Sequence, residues 1–196
     1  MPPVSTQPPE TPPQFDSQSI FDLTIGANLI AGADAPPGSA YADRNAVVLE
    51  VQKERARYAN GRTLPAAAAV LLTDAQSGRG HSKILSNNLV ESSGELRPEK
   101  VEAHHIVARA DKRARRSRDI LFAHAIAVND ADNGVFLPMA KNASAGAATA
   151  HRSVHTNRYY IEVEGRMILV KALSDDAVRR TLRGIGTRLL AGSFPF

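Results

Sequence analysis

The chain has 196 residues, 43% of them hydrophobic, which suits one ordinary core with or without a tail. Its 24 Lys and Arg against 20 Asp and Glu leave a formal charge of +4, so an anionic partner is permitted but not required. The absence of cysteine excludes disulfide scaffolds, thiolate zinc fingers, iron–sulfur sites and Cys nucleophiles, and leaves any metal to the six histidines, to carboxylates or to amides.

In chain order, residues 1–19 hold six of the twelve prolines (Pro2, Pro3, Pro8, Pro9, Pro12 and Pro13) among Thr, Ser and Gln, and read as a flexible, semi-extended linker. No basic start followed by an apolar stretch occurs there, so no Sec-type signal peptide is expected. The longest uninterrupted apolar run, residues 66–72, falls far below the roughly 20 needed to cross a bilayer, so no membrane partner is expected. Residues 20–33 form an apolar stretch with Gly26 and Gly32 before a Pro36-Pro37-Gly38 turn. The spacing of Val47, Val48 and Val51 predicts a helix over 41–60 that stops at Asn60-Gly61. Pro65 can open a second, Ala-rich helix that breaks at Ser77-Gly78. A third is predicted over 82–91, with Ile84, Leu85 and Leu89 inward and Ser93-Gly94 as its end. His81 reads as a surface residue.

Composition changes near Arg97. Residues 97–118 carry eight Lys or Arg against three acids, a local +5 (eight minus three) that exceeds the charge of the whole chain. Arg113, Arg115, Arg116 and Arg118 fall together on a predicted helix and are candidates for phosphate contact. Just before them stands Glu102-Ala103-His104-His105-Ile106-Val107, a strand-like context in which successive side chains point to opposite faces. Such opposition lets one imidazole bind a metal while the other handles a proton. His124 reads as a core or helix-end residue. Further on, Asn133-Gly134 reads as a turn between two short apolar strands, 126–128 and 135–137, with Asp130 and Asp132 as turn formers. His151 and His155 have i,i+4 spacing, which on a helix lets both ligate one ion. Tyr159-Tyr160 begin a predicted strand through Val163, paired with 167–170 across Glu164-Gly165, both tyrosines packing. Arg179, Arg180, Arg183 and Arg188 lie on a C-terminal helix that would extend the basic surface. Four of the six histidines thus fall where a strand–strand–helix unit would converge.

The segments EAHHIVARA, VNDADNGVFLP and HRSVHTNRYY, in this order, resemble the AHH family of the HNH/endonuclease VII superfamily, whose ββα-metal (His-Me finger) unit cleaves nucleic acids. The resemblance runs from about Arg79 to Val163, including NNLVESSGELRP before the His-His pair, and leaves the first seventy or so residues and the tail after Arg166 outside. The interval of thirteen residues between Leu137 and His151 is longer than in the compact, colicin-like versions. The resemblance implies an α+β, mainly helical domain built around a ββα-metal core. With the flanking parts read from the residues themselves, a single nuclease domain over 20–196 would comprise a helical part over 20–78, the core over 79–165, and a C-terminal strand and basic helix over 166–196. It implies a metal-dependent endonuclease, DNA favoured over RNA, with His104, His151 and His155 as metal ligands. His105 would be the general base, and Asn133 the residue that braces the loop behind it. Arg152 and Arg158, flanking the ligands, join Arg113, Arg115, Arg116 and Arg118 as candidate nucleic-acid contacts. The implied cofactor is one divalent ion, Mg²⁺ or Zn²⁺, with Mn²⁺ a further option. Members are mostly toxin modules of secreted bacterial proteins, which implies an immunity protein and a secretion carrier or parent polypeptide. The implied place of action is the cytoplasm of a target cell. Two other readings stand beside this one. A non-catalytic nucleic-acid-binding module would close a structural zinc site with four protein ligands. A housekeeping or phage nuclease would use the same chemistry without an immunity partner.

Overall fold

The computed structural model describes residues 55–139 and 148–196, all within one unit of the chain, Leu49–Phe196. The predicted linker over 1–19, the apolar stretch over 20–33 and most of the helix predicted over 41–60 lie outside the described residues. The described architecture is α+β, with five α-helices and two small antiparallel sheets among those residues.

The end of the first predicted helix is instead a hairpin. β1 (Tyr58–Ala59) pairs with β2 (Arg62–Thr63) across Asn60-Gly61, whose φ angles of +49° and +72° belong to the turn that matches strand twist. Gly61 is also demanded by space, since a Cβ there would sit 2.1 Å from the carbonyl oxygen of Asn88. Two helices follow, α1 (Ala68–Gln76) and α2 (His81–Ser93), the latter ending at Gly94 as its sequence predicts. Both stop close to their Ser-Gly signals.

The second sheet positions the site. β3 (Val101–His105) runs antiparallel to β4 (Gly134–Pro138), with His104 opposite Val135 and His105 opposite Gly134. Between them lie a 3₁₀ turn (Lys112–Ala114), α3 (Arg115–Ala123) and a second 3₁₀ turn (Ala131–Asn133). The strand expected over 126–128 does not form, and β4 takes β3 as its partner instead. Side chains satisfy the 126–128 backbone in place of a ladder: Ala127 N–H donates to the Thr63 hydroxyl and Asn133 donates to the Val128 carbonyl. α2 packs against the start of β4 so closely that a Cβ on Gly134 would lie 2.6 Å from a methyl of Leu85.

The third departure concerns the C-terminal half. His151 opens a 3₁₀ turn (His151–Ser153) and His155 precedes α4 (Asn157–Val170), so the two histidines do not share a helix. The strand pair expected over 159–170 is α4 itself. Thr156 caps it by accepting from Tyr159 N–H, and Tyr159, Tyr160, Val163 and Met167 are buried at helical spacing while Gly165 stays exposed. Burial periodicity overrides the β-preferring aromatic and branched residues here. α5 (Asp175–Leu190) starts at a Ser174 cap and buries Val178, Leu182, Ile185 and Leu189. Each fully buried Leu or Ile of this kind contributes roughly 1.5–3 kcal/mol relative to exposure. The core joins these to Leu71, Ile106, Leu121, Ile126, Leu137, Tyr159 and Met167.

The predicted basic face of α5 is partly internal. Arg179 reaches Asp130 (3.0 and 3.1 Å) and Asp132 (2.9 Å), and Arg183 reaches Asp132 (2.8 Å). Asp130 also accepts from the backbone and hydroxyl of Thr63, tying the N-terminal hairpin to the same point. Arg180 pairs with Asp176 at the surface, and Arg188 is exposed.

Candidate metal centre and catalytic groove

Alternation along β3 sends His104 and His105 to different neighbours. His104 is 2% exposed and faces His151 and His155, with ring centroids 5.2 and 5.5 Å away. One nitrogen from each of the three histidines lies within 4.8 Å of the other two, a cluster that could hold a metal ion. His151 and His155 therefore meet through the short 3₁₀ turn rather than through helical spacing.

The lone pairs available to a metal follow from hydrogen-bond accounting. Tyr159 has one hydroxyl hydrogen and donates it to the Ile106 carbonyl at 2.9 Å. Toward His104 Nε2, also 2.9 Å away, it can only accept, so Nε2 carries the proton and Nδ1 the lone pair. His151 Nδ1 lies 2.5 Å from the Glu102 carboxylate, an acceptor, which leaves its Nε2 bare. His155 Nδ1 lies 3.3 Å from the Tyr160 hydroxyl, which in turn is hydrogen-bonded to Asp111. Hydrogen bonds from Arg113 hold the Asp111 carboxyl well below the usual carboxylate range. Burial pushes the His104 and His155 pKa values down, with neighbouring histidines adding to the effect, so both rings are neutral near pH 7.

His105 stands apart from this cluster. Its Nε2 lies 3.0 Å from Asn129 Oδ1, and burial lowers its pKa to about 4 against the opposing effect of that bond. His81, expected at the surface, is 5% exposed and touches the same asparagine. Its spacing from Leu85 and Asn88 on the buried face of α2 is the signal that places it inward. Asn133 is fully buried and meets backbone only. Its Oδ1 accepts from Val107 N–H (2.8 Å), its Nδ2 donates to the carbonyls of Val107 (3.2 Å) and Val128 (2.8 Å), and its own carbonyl accepts from Ile106 N–H (2.8 Å). It fastens the exit of β3 to the loop that carries Asn129.

The histidines open onto a groove of about 1050 Å³ whose far wall is α2, with Ser82, Lys83, Ser86 and Asn87 facing it. The cations that line it are Lys83, Arg97 and Arg109, none of which belongs to the predicted set. Arg113, Arg115, Arg116 and Arg118 do not line it. Arg113 is bound to Asp111 and Asn157 and lies over the Tyr160 ring at 4.1 Å. Arg118 donates to the carbonyls of Ala108 and Asp111, both at 2.7 Å. Arg116 pairs with Glu164 and is exposed, as is Arg115. Arg152 and Arg158 are exposed on either side of His155. Asp130 and Asp132 lie with the arginines of α5 and not in the histidine cluster. His124 is a helix-end residue, its ring between Asp175 and the Lys171 carbonyl.

Three imidazoles with lone pairs left for a cation, beside a fourth held neutral in the same groove, form a centre equipped to bind a divalent ion and to take up a proton. The chain belongs to the AHH family, a nuclease family of the HNH/ENDO VII superfamily with conserved AHH, whose model matches residues 86–185. Ala103-His104-His105 is where those three residues occur. The match starts within α2 and extends well into α5, past the Val163 limit set by the three motifs. No curated protein and no solved structure matches the chain.

Proposed function

We propose that this nuclease is a metal-dependent endonuclease that hydrolyses phosphodiester bonds, with DNA its preferred substrate and little sequence specificity. The observation that carries the reading is the separation of duties on β3. His104 joins His151 and His155 in one cluster, while His105 is neutral, outside it and exposed to the groove. A structural zinc site would draw on four protein ligands and leave no role for such an imidazole.

In this reading His105 takes the proton from the water that attacks phosphorus in line with the leaving 3′ oxygen. Asn133 keeps the loop behind it in place. Lys83, Arg97 and Arg109 bind phosphates along the groove, with Arg152 and Arg158 at its edge and Arg115 and Arg116 farther out. Arg113 and Arg118 act on the protein's own Asp111 and carbonyls rather than on substrate. His104, His151 and His155 would hold the ion, which would supply positive charge against the negative charge that develops on the phosphate. Three neutral nitrogens suit Zn²⁺, and phosphate and water oxygens suit Mg²⁺ or Mn²⁺.

The likeness of the three motifs to toxin modules supports an antibacterial effector role. It would be delivered by a secretion system or as part of a longer polypeptide, act in the target cytoplasm, and be neutralised by an immunity protein. Among the described residues no helix is long and apolar enough to cross a membrane. Incubation with supercoiled plasmid and Mg²⁺, Mn²⁺ or Zn²⁺ tests the activity. Nicking abolished by EDTA is expected; intact plasmid under every metal overturns the nuclease reading. Growth arrest on expression in a bacterium, relieved by His105→Ala, is expected for the toxin; unimpaired growth with active enzyme overturns that part alone.

A further inference from the structure

Behind His105, on the side away from the metal cluster, a buried polar chain crosses to α2. Asn129 is fully buried, and Asn88 Nδ2 fixes its backbone by donating to the Asn129 carbonyl at 2.7 Å. The Asn129 amide lies between two imidazoles, with Oδ1 3.0 Å from His105 Nε2 and Nδ2 3.0 Å from His81 Nδ1. His81 Nε2 lies 3.1 Å from the Ser77 carbonyl.

These bonds can be oriented from one end. A backbone carbonyl only accepts, so His81 Nε2 carries the ring hydrogen of the neutral imidazole. The Ser77 hydroxyl, which donates to the Asp74 carbonyl, is likewise an acceptor toward that nitrogen. In the neutral ring His81 Nδ1 is then bare and accepts, and among the described residues the hydrogen-bond donor that faces it is Asn129 Nδ2. Asn129 Oδ1 is 3.3 Å from the same nitrogen, but neither atom would hold a hydrogen for that contact. With Nδ2 committed to His81, the oxygen of Asn129 is turned to His105. It can only accept there, so His105 Nε2 carries the hydrogen and Nδ1 is left as the base.

We propose that Asn129 and His81 are positioning residues that set the tautomer of His105, His81 by fixing which end of the Asn129 amide faces it. Without His81 the amide can turn over, presenting N–H to His105 Nε2 and favouring the tautomer whose bare nitrogen faces Asn129. The assignment rests on His105 being the general base of the proposed nuclease. His81 lies outside the matched residues 86–185, so its part belongs to the segment of α2 that precedes the family match.

Nitrogen-15 NMR of histidine-labelled protein at neutral pH reads the tautomer without reference to activity. His105 is expected as the Nε2–H form in the wild type, as a mixture in His81→Phe, and as a mixture in Asn129→Leu. Asn129→Asp keeps an acceptor for His105 and is expected to restore the Nε2–H form. Plasmid nicking should follow the spectra, with kcat down on the order of 10²-fold in Asn129→Leu and about tenfold in His81→Phe at unchanged KM. Zn²⁺ affinity and the circular dichroism spectrum should remain those of the wild type in His81→Phe, which excludes a folding defect as the cause. An Nδ1–H His105 in the wild type, or spectra unmoved by both His81→Phe and Asn129→Leu, overturns the proposal. If the wild type cuts nothing while His105 shows the expected tautomer shifts, the nuclease reading fails and the hydrogen-bond assignment stands.

Discussion

His104 and His105 are adjacent on β3 and are supported by different elements of the chain. His104 rests on the hydroxyl of Tyr159 in α4 and joins His151 and His155, which arrive just before that helix. His105 rests on Asn129, in the loop after α3, and through it on His81 at the start of α2. A strand makes this possible because alternate side chains leave it in opposite directions, so each can be served by a different layer. Adjacent groups can thereby differ in task while sharing one groove, and a defect in one support should leave the other intact.

The largest expected effect breaks the pair apart. His105→Ala should lower cleavage by about 10²–10⁴-fold, the usual worth of a general base, with metal affinity unchanged. His104→Ala should lose metal and activity together. Calorimetric titration with Zn²⁺ beside plasmid nicking separates the two. Metal loss in His105→Ala would reverse the assignment of the histidines.

Next in size is Tyr159→Phe. It removes the oxygen that holds the His104 Nε2–H and leaves the Ile106 carbonyl without its donor. Metal affinity should fall about 10–100-fold, and stability by about 1–3 kcal/mol. The His105 tautomer, read by NMR, should not change.

A smaller effect is expected from acid in the metal-free protein. The unfolded chain takes a proton on His105 near pH 6.5, whereas the folded ring takes it only near 4. Between those values the unfolded state binds more protons, so stability is full above about pH 6.5 and falls as the pH drops toward 4, by roughly 1 kcal/mol per pH unit for each such histidine. Urea unfolding in EDTA over this range should show the slope, and His105→Gln should reduce it. The smallest effect is expected from Glu102→Gln, which retains an acceptor for His151 Nδ1–H at the half-exposed edge of β3. Metal binding should weaken by less than about tenfold, and a larger loss would show that the carboxylate charge itself matters.

The two halves of the site also differ in how far they can be read from the residues alone. His104, His105, Asn133, His151 and His155 sit in three short motifs, and β3, β4, α2 and α5 carry capping, turn or periodic signals of their own. The supports of the metal half are visible in the sequence but carry a strand signal, because Tyr159, Tyr160 and Val163 favour strands by type and only their buried spacing is helical. The support of the proton half lies in a pairing across 48 residues between His81 and Asn129, which no local pattern encodes. Charge misled for a related reason. Arg113, Arg118, Arg179 and Arg183 form a dense basic pattern in the sequence, yet each pairs with a carboxylate or carbonyl of the protein itself. The groove instead draws on Lys83, Arg97 and Arg109, which are scattered singly.

Gly134 stands opposite His105 in the sheet, with Leu85 of α2 where its side chain would be. The missing methyl acts as a spacer of zero thickness between the sheet that carries His104 and His105 and the helix that forms the facing wall. The width of the groove and the reach from His81 to Asn129 are therefore set by the same small gap. A single carbon added at this position would alter both the groove and the orientation of His105.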